Sequence, residues 1–406
     1  MSLMVLKFGG TSVGNKERLF HVAAIAKKNW QQGHQVVVVV SAQGDTTDEL
    51  LEKAAEIGSD LPLREMDMLL STGEQISIAL LAMALHQLGC PAVSLTGWQA
   101  GVRTDSQHTV ARVRFVENAR LKEELEKGKI VVVAGFQGLD EQEDITTIGR
   151  GGSDTTAVAL AAALGAEKCI IYTDVDGVYT ADPRMVEGAR KLDDITYDEM
   201  LELASMGAQV LHNRSVEMAK RHGVPLEVRS SFTDAPGTAV REETMERRTV
   251  SGIARDLDVA VISLTGTADV PGIAYQIFDR LAKEKISVDM IVQSAGENGC
   301  KHICFTVQKR QGERALAIIR EQKDVEYASL SMDPEVSKIS IVGAGMAGSS
   351  GVASDMFQAL YEAGINIMFI ATSEIKVSVI IKSQDTQRAM QALHDKFFGE
   401  KDGMAR

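Results

Sequence analysis

Residues Val36–Val40 are five consecutive valines. A β-branched run without polar alternation suits a strand buried on both faces, as in a parallel sheet covered by helices. Comparable apolar runs recur at Met4–Phe8, Ala92–Leu95, Ile130–Ala134, Cys169–Thr173 and Leu226–Val228, and the valine run itself extends to Ser41. Between them lie helical periodicities over Lys16–Gln31, Thr72–Gln87, Val113–Glu126, Thr155–Leu164 and Tyr197–His222. Alternation of this kind predicts a three-layer α/β/α domain with a mainly parallel sheet, here over residues 1–232.

The texture then changes. Asp234-Ala235-Pro236-Gly237 is turn chemistry, and Arg241–Arg248 is dense in charge without an apolar period. Residues 233–248 read as a linker. Beyond it the chain repeats itself. Ile262-Ser263-Leu264-Thr265-Gly266 echoes Ile339-Ser340-Ile341-Val342-Gly343. Gly272, Phe278, Leu281, Ile286 and Ser294 recur at one offset as Gly351, Phe357, Leu360, Ile365 and Ser373. Two copies of one strand–loop–helix–strand unit are expected, over about 249–334 and 335–406, with strands free to exchange between them.

At 406 residues the chain is long enough for two or three domains. Its net charge of −13 argues against a nucleic-acid partner, which demands a basic face, but not against a nucleotide. Cys90, Cys169, Cys300 and Cys304 form no CxxC pair and no usual zinc spacing, so buried thiols in a reducing compartment are expected. Met1 runs almost directly into a strand, and the apolar runs Ile76–Leu85 and Ala157–Leu164 fall short of the ~20 residues that span a bilayer. The expected location is the cytoplasm.

Four segments carry candidate chemistry. Lys7-Phe8-Gly9-Gly10-Thr11-Ser12 ends the first strand. Its glycines let backbone N–H groups approach an anion, and Lys7 puts a cation where open α/β sheets bind ligands. A tight strand-to-helix turn would explain the glycines equally well. Gly149-Arg150-Gly151-Gly152-Ser153-Asp154-Thr155-Thr156 says more. A capped glycine turn accounts for everything except Arg150, whose guanidinium suits a carboxylate while Asp154 suits an ammonium. Glu74 near a helix start is either a dipole complement or a ligand group. Thr173-Asp174-Val175-Asp176-Gly177-Val178-Tyr179-Thr180-Ala181-Asp182-Pro183-Arg184 reads as a hairpin or as an adenine and triphosphate site.

Taken together, Lys7–Gly14 (KFGGTSVG), Thr72–Glu74 (TGE), Thr96–Gly101 (TGWQAG), Gly149–Ala157 (GRGGSDTTA) and Thr173–Arg184 (TDVDGVYTADPR) resemble aspartokinase, a member of the amino acid kinase superfamily. The C-terminal repeat resembles the paired ferredoxin-like ACT modules (βαββαβ) of that family. The resemblance implies that Lys7, Phe8, Gly9 and Gly10 bind the transferring phosphate, with Ser41 nearby. It implies that Thr47, Glu74, Arg150, Gly151, Gly152, Ser153 and Asp154 bind aspartate, and that Thr173, Asp174, Tyr179, Asp182 and Arg184 contact ATP. Lys7, Glu74, Arg150 and Asp154 would be the catalytic set. ATP and Mg2+ are implied, with no metal ligand assigned among the side chains. His212-Asn213-Arg214-Ser215-Val216-Glu217 departs from the family, which has proline at Asn213.

The ACT resemblance implies an amino-acid effector, lysine with or without threonine, or diaminopimelate. Asp269, Gly272, Ile273, Ala274, Gln293, Asn366 and Ile367 are the candidate effector contacts. Ser287 stands in the first copy where Asn366 stands in the second, so the copies need not bind one ligand. A dimer or larger assembly through the ACT modules is expected, and an internal start at Met245 could yield a separate small subunit. Another amino acid kinase, acting on glutamate or N-acetylglutamate, and a non-catalytic amino-acid sensor are the alternatives at this point.

Overall fold

The computed structural model describes residues 2–205, 210–243, 249–296, 299–322 and 324–399. They form two compact units, the first holding 2–178, 191–205 and 210–243, the second 179–190 and 249–399.

The first unit is built on an eight-stranded sheet. Its strands run, in spatial order, Asp194–Thr196, Thr238–Arg241, Leu226–Ser230, Lys168–Thr173, Leu3–Phe8, Gln35–Val40, Ile130–Ala134 and Ala92–Leu95. All neighbours are parallel except Leu226–Ser230 with Thr238–Arg241. Val36 to Val40 are fully buried, as the uninterrupted run requires. Burying each is worth ~1.5–3 kcal/mol, so a single charged replacement there would break the sheet. Lys16–Gln31 packs one face through Leu19, Val22, Ala23 and Ala26, and starts at Asn15, whose side chain accepts from Arg18 N–H.

Residues 63–87 are apolar and long enough to cross a bilayer by composition alone, yet more than half of the stretch is buried in the unit. It is two helices, Leu63–Leu70 and Thr72–Gln87, and Ile78, Leu81 and Leu85 lie in the core.

Two helical expectations are corrected. Val113–Val116 is a strand, paired antiparallel to Val102–Thr104 in a small four-stranded sheet, and only Ala119–Glu126 is helical. The β-branched and aromatic Val113-Arg114-Phe115-Val116 outweighs the helical spacing there. Tyr197–His222 divides into Tyr197–Ser205 and Asn213–His222. In the segment read as a linker, Thr238–Arg241 is a strand of the large sheet.

The second unit contains two four-stranded antiparallel sheets. One is ordered Val288–Ala295, Cys300–Val307, Ala260–Ala268, Ser329–Asp333, with helices Ile273–Lys283 and Gly312–Arg320 on it. The other is Gly252–Asp256, Val336–Val342, Lys376–Lys382, Phe369–Thr372, with helices Val352–Glu362 and Thr386–Phe398. Both have the ferredoxin-like arrangement, but the second takes its edge strand from Gly252–Asp256, upstream of the first module. The repeat shows at the start of each module's first helix. Gly272 and Gly351, at φ +104° and +102°, start helices of 11 residues each.

Candidate active site

The four central strands of the large sheet end together. Phe8 pairs with Val40 and Tyr172, and Val40 pairs with Ala134. The loops after these parallel strands are therefore neighbours at the carboxyl edge, where open α/β sheets bind ligands. They are Gly9–Gly14, Ser41–Asp45, Gly135–Phe136 and Asp174–Gly177.

Phe8 is buried and stacked on Tyr172, with ring centroids 4.5 Å apart. It holds the strand end from inside. One residue back, Lys7 stands at the edge, and its Nζ lies 2.6 Å from Asp154 Oδ1. Asp154 is on the first turn of the helix Gly152–Leu164. Both side chains are largely buried, each about one-eighth exposed. Ser153, beside Asp154, accepts from Ser41 Oγ at 3.0 Å. At Gly10 any side chain would run into the Ala42 carbonyl, so this glycine is required for the close approach of two loops.

Glu74 lies on the first turn of Thr72–Gln87 and is 3% exposed. Its Oε1 accepts the Ala42 N–H at 3.0 Å. Its Oε2 is buried with no hydrogen-bond partner among the described residues. Burial pushes the Glu74 carboxyl up to about 7, against the relief of its backbone hydrogen bonds. A buried carboxylate oxygen without a donor is a receptor for one, and a cation is the strongest donor available. Thr47, on the helix Thr46–Ile57, is half-buried, and its neighbour Thr46 packs near Gly73.

The glycine loop before Gly152–Leu164 is held from below. Gly149 and Gly151 have φ of +84° and +69°, and a Cβ on Gly151 would fall on the His212 ring. Arg214 donates to the carbonyls of Ile148 at 2.6 Å and Ala111 at 2.8 Å. His212 and Arg214 are thus supports of the loop that the sequence did not reveal. Only their place in the segment His212–Glu217 pointed to them. Asn213 donates to Ser205 Oγ at 3.0 Å, so the helix start keeps a fixed partner without proline.

The Arg150 side chain is exposed, and among the described residues Asp154 pairs with Lys7. Thr173 ends its strand and donates to Asp174 Oδ1 at 3.1 Å, while its carbonyl accepts from Ser231. Ser231 in turn accepts from Ser12 Oγ at 2.9 Å. This ties the loop after Phe8 to the loop after Tyr172. Asp174 is exposed.

Tyr179, Asp182 and Arg184 belong to the second unit. Asp182 accepts from Arg184 Nε at 3.0 Å, and the guanidinium holds its carboxyl below the usual carboxylate range despite partial burial.

The candidate effector residues fall in both modules. Asp269 pairs with Lys301 at 2.6 Å. Gly272, Ile273 and Ala274 open the helix Ile273–Lys283, with Ile273 buried and Ala274 exposed. Gln293 is exposed on the edge strand Val288–Ala295. In the second module Asn366 is exposed, and Ile367 packs on the core. Met245 lies outside the described residues.

The amino acid kinase family matches residues 2–230, and the ACT domain matches residues 262–322 and 339–397. Aspartokinase 2 of Bacillus subtilis is 51% identical over 402 residues, covering 98% of each chain. The structure of E. coli aspartokinase III with aspartate and ADP in the R-state is 25% identical. It superposes with a TM-score of 0.81, over 98% of this chain and 100% of that one. The same enzyme with lysine and aspartate in the T-state gives 0.79 at 25% identity, over 98% and 99%.

Proposed function

This chain belongs to the aspartokinases of the amino acid kinase family and is an aspartate kinase; from that membership we propose how its residues transfer the γ-phosphoryl of ATP to the side-chain carboxylate of L-aspartate, giving 4-phospho-L-aspartate. The observation that carries the reading is the buried, partnerless Oε2 of Glu74 facing a need for a cationic donor, on the same carboxyl edge as the Lys7–Asp154 pair. An α-amino acid supplies that donor in its ammonium.

The nucleophile needs no general base, because a side-chain carboxylate is ionised at neutral pH. Catalysis then rests on placing two anions together and neutralising charge on the phosphoryl oxygens. Lys7 does this with its ammonium, which is oriented by Asp154, and the backbone N–H groups at Gly9 and Gly10 add to it. Arg150, exposed before substrate arrives, is free to form a bidentate pair with the aspartate α-carboxylate. Glu74 takes the ammonium, and Thr47, Gly151, Gly152 and Ser153 shape the remaining walls. Thr173, Asp174, Tyr179, Asp182 and Arg184 hold ATP, with Phe8 packing behind the phosphate loop and Ser41 beside it. No group of three His, Cys, Asp or Glu side chains able to hold a metal exists among the described residues. Mg2+ would be carried on the nucleotide phosphates and water, where it would supply charge neutralisation.

Lysine, with or without threonine, is the proposed feedback effector, acting through Asp269, Gly272, Ile273, Ala274 and Gln293 of one module with Asn366 and Ile367 of another. A lysine complex of the E. coli relative supports this. The reaction so regulated would open the pathway to lysine, threonine and methionine, in the cytoplasm. Assembly through the ACT modules into a homodimer or larger form is part of the proposal, as is a small subunit started at Met245. A substrate panel of aspartate, glutamate and N-acetylglutamate, with hydroxylamine trapping of the acyl phosphate, tests the activity. Aspartate alone should give hydroxamate, and equal trapping with glutamate would refute the assignment.

A further inference from the structure

The second half of the ATP motif is built into the fold of the second unit. Thr180 is its anchor. Its carbonyl accepts the Ile253 N–H at 2.7 Å. Its hydroxyl oxygen accepts the Arg190 N–H at 3.0 Å and lies 3.0 Å from His394 Nε2. Further along, Glu187 N–H donates to Gln391 Oε1 at 2.9 Å, and Gln391 Nε2 donates back to the Glu187 carbonyl at 3.2 Å. Between these two grips, Ala181 and Val186 are buried in the same core as Ile253, Met390 and Leu393.

Gln391 and His394 are three residues apart on the helix Thr386–Phe398, so they present one face. An exposed loop can satisfy its backbone with water and needs no side chain to grip it. Here an amide side chain closes on both polar groups of one residue, in the manner of a strand partner. His394 is 3% exposed and stacked on Phe398. A leucine would fill that place without the penalty of a buried polar ring. What the histidine adds is the hydrogen bond to Thr180, one residue from Tyr179 and two from Asp182.

We infer that Gln391 and His394 are positioning residues for the nucleotide hairpin, through which the second ACT module sets the affinity for ATP. The inference rests on the reading that Tyr179, Asp182 and Arg184 contact ATP. It also gives the second module a role that requires no effector of its own.

The test compares Q391A, H394L and H394Q with the unmodified full chain, by initial rates varied separately in ATP and aspartate, with Tm alongside. Losing its one neutral positioning hydrogen bond should raise the KM for ATP about fivefold in H394L, and Q391A, which loses both bonds to Glu187, should raise it at least as much. The KM for aspartate should move by less than about twofold, since its ligands are elsewhere. H394Q, whose amide reaches as far as Nε2, should restore the ATP value. Gln391 is half-buried at the surface, so Q391A keeps the test available should H394L not fold. An unchanged KM for ATP in a folded variant overturns the inference, whatever its Tm or kcat. So does an equal rise for both substrates. If the unmodified chain shows no aspartate-dependent turnover, the assigned activity fails instead, and titration of the same variants with a fluorescent ATP analogue then reads the hairpin directly.

Discussion

Replacing Glu74 by Gln should stabilise the substrate-free protein at pH 8.5 while weakening aspartate binding. Gln keeps the acceptor for the Ala42 N–H and removes only the charge. The carboxyl is raised from the ordinary 4.5 to about 7 by burial. Between those pH values the unfolded chain has released a proton that the folded chain still holds, so stability falls as pH rises through the window and is flat above it. At about 1.4 kcal/mol per pH unit, the rise makes the charged form about 3 kcal/mol costlier in the fold. Glu74→Gln should therefore match the parent below the ordinary carboxyl value of 4.5 and exceed it by up to about 3 kcal/mol at pH 8.5, read by urea unfolding at both ends of the window. The same substitution should raise the KM for aspartate at least about tenfold, because a neutral amide holds an ammonium poorly. Equal stability of the two proteins at pH 8.5 would refute the buried-charge reasoning, and an unchanged KM would refute the ammonium assignment.

Other consequences follow from the same geometry. In the parent, the KM for aspartate should rise as pH drops below about 7, by at most about tenfold per unit, because the ammonium binds the ionised Glu74; a flat profile between pH 6 and 8 contradicts this. Lys7→Met should lower kcat by ~10²–10³ while aspartate still binds, measured by calorimetry beside steady-state rates. Gly151→Ala should abolish activity, since φ of +69° and the His212 ring both exclude a Cβ, and Ser41→Ala should be far milder. Titration with lysine, alone and with threonine, should inhibit turnover; no response to either, or to diaminopimelate, would remove the feedback proposal.

The sheet was legible because five buried valines in sequence admit few other folds, and all six expected strands are present. What escaped was short structure whose pairing is decided by distant residues, such as Val113–Val116 and Thr238–Arg241. The ACT repeat was visible as an offset, and Gly272 and Gly351 adopt matching φ at corresponding positions. The origin of the second module's edge strand was not visible, because nothing local in Gly252–Asp256 states which sheet it joins. At the candidate site, glycine-rich loops and an unusual arginine marked segments that the fold brings together through the Lys7–Asp154 pair. They could not show that Asp154 faces Lys7, which depends on how the helix Gly152–Leu164 packs on the strand Leu3–Phe8, or that Arg214 supports the loop from 66 residues away. Placing Thr173–Arg184 in one piece was natural from its sequence, yet it divides after Val178 into two units.

The most direct test is the identity of the phosphorylated group. The chain is incubated with ATP, Mg2+ and L-aspartate, the product is captured with hydroxylamine, and the hydroxamate is identified by mass spectrometry with fragmentation. The expected product is the β-hydroxamate of aspartate, formed only with both substrates and at a rate ~10²–10³ lower in Lys7→Met. An α-hydroxamate, or ADP release without any hydroxamate, would contradict it.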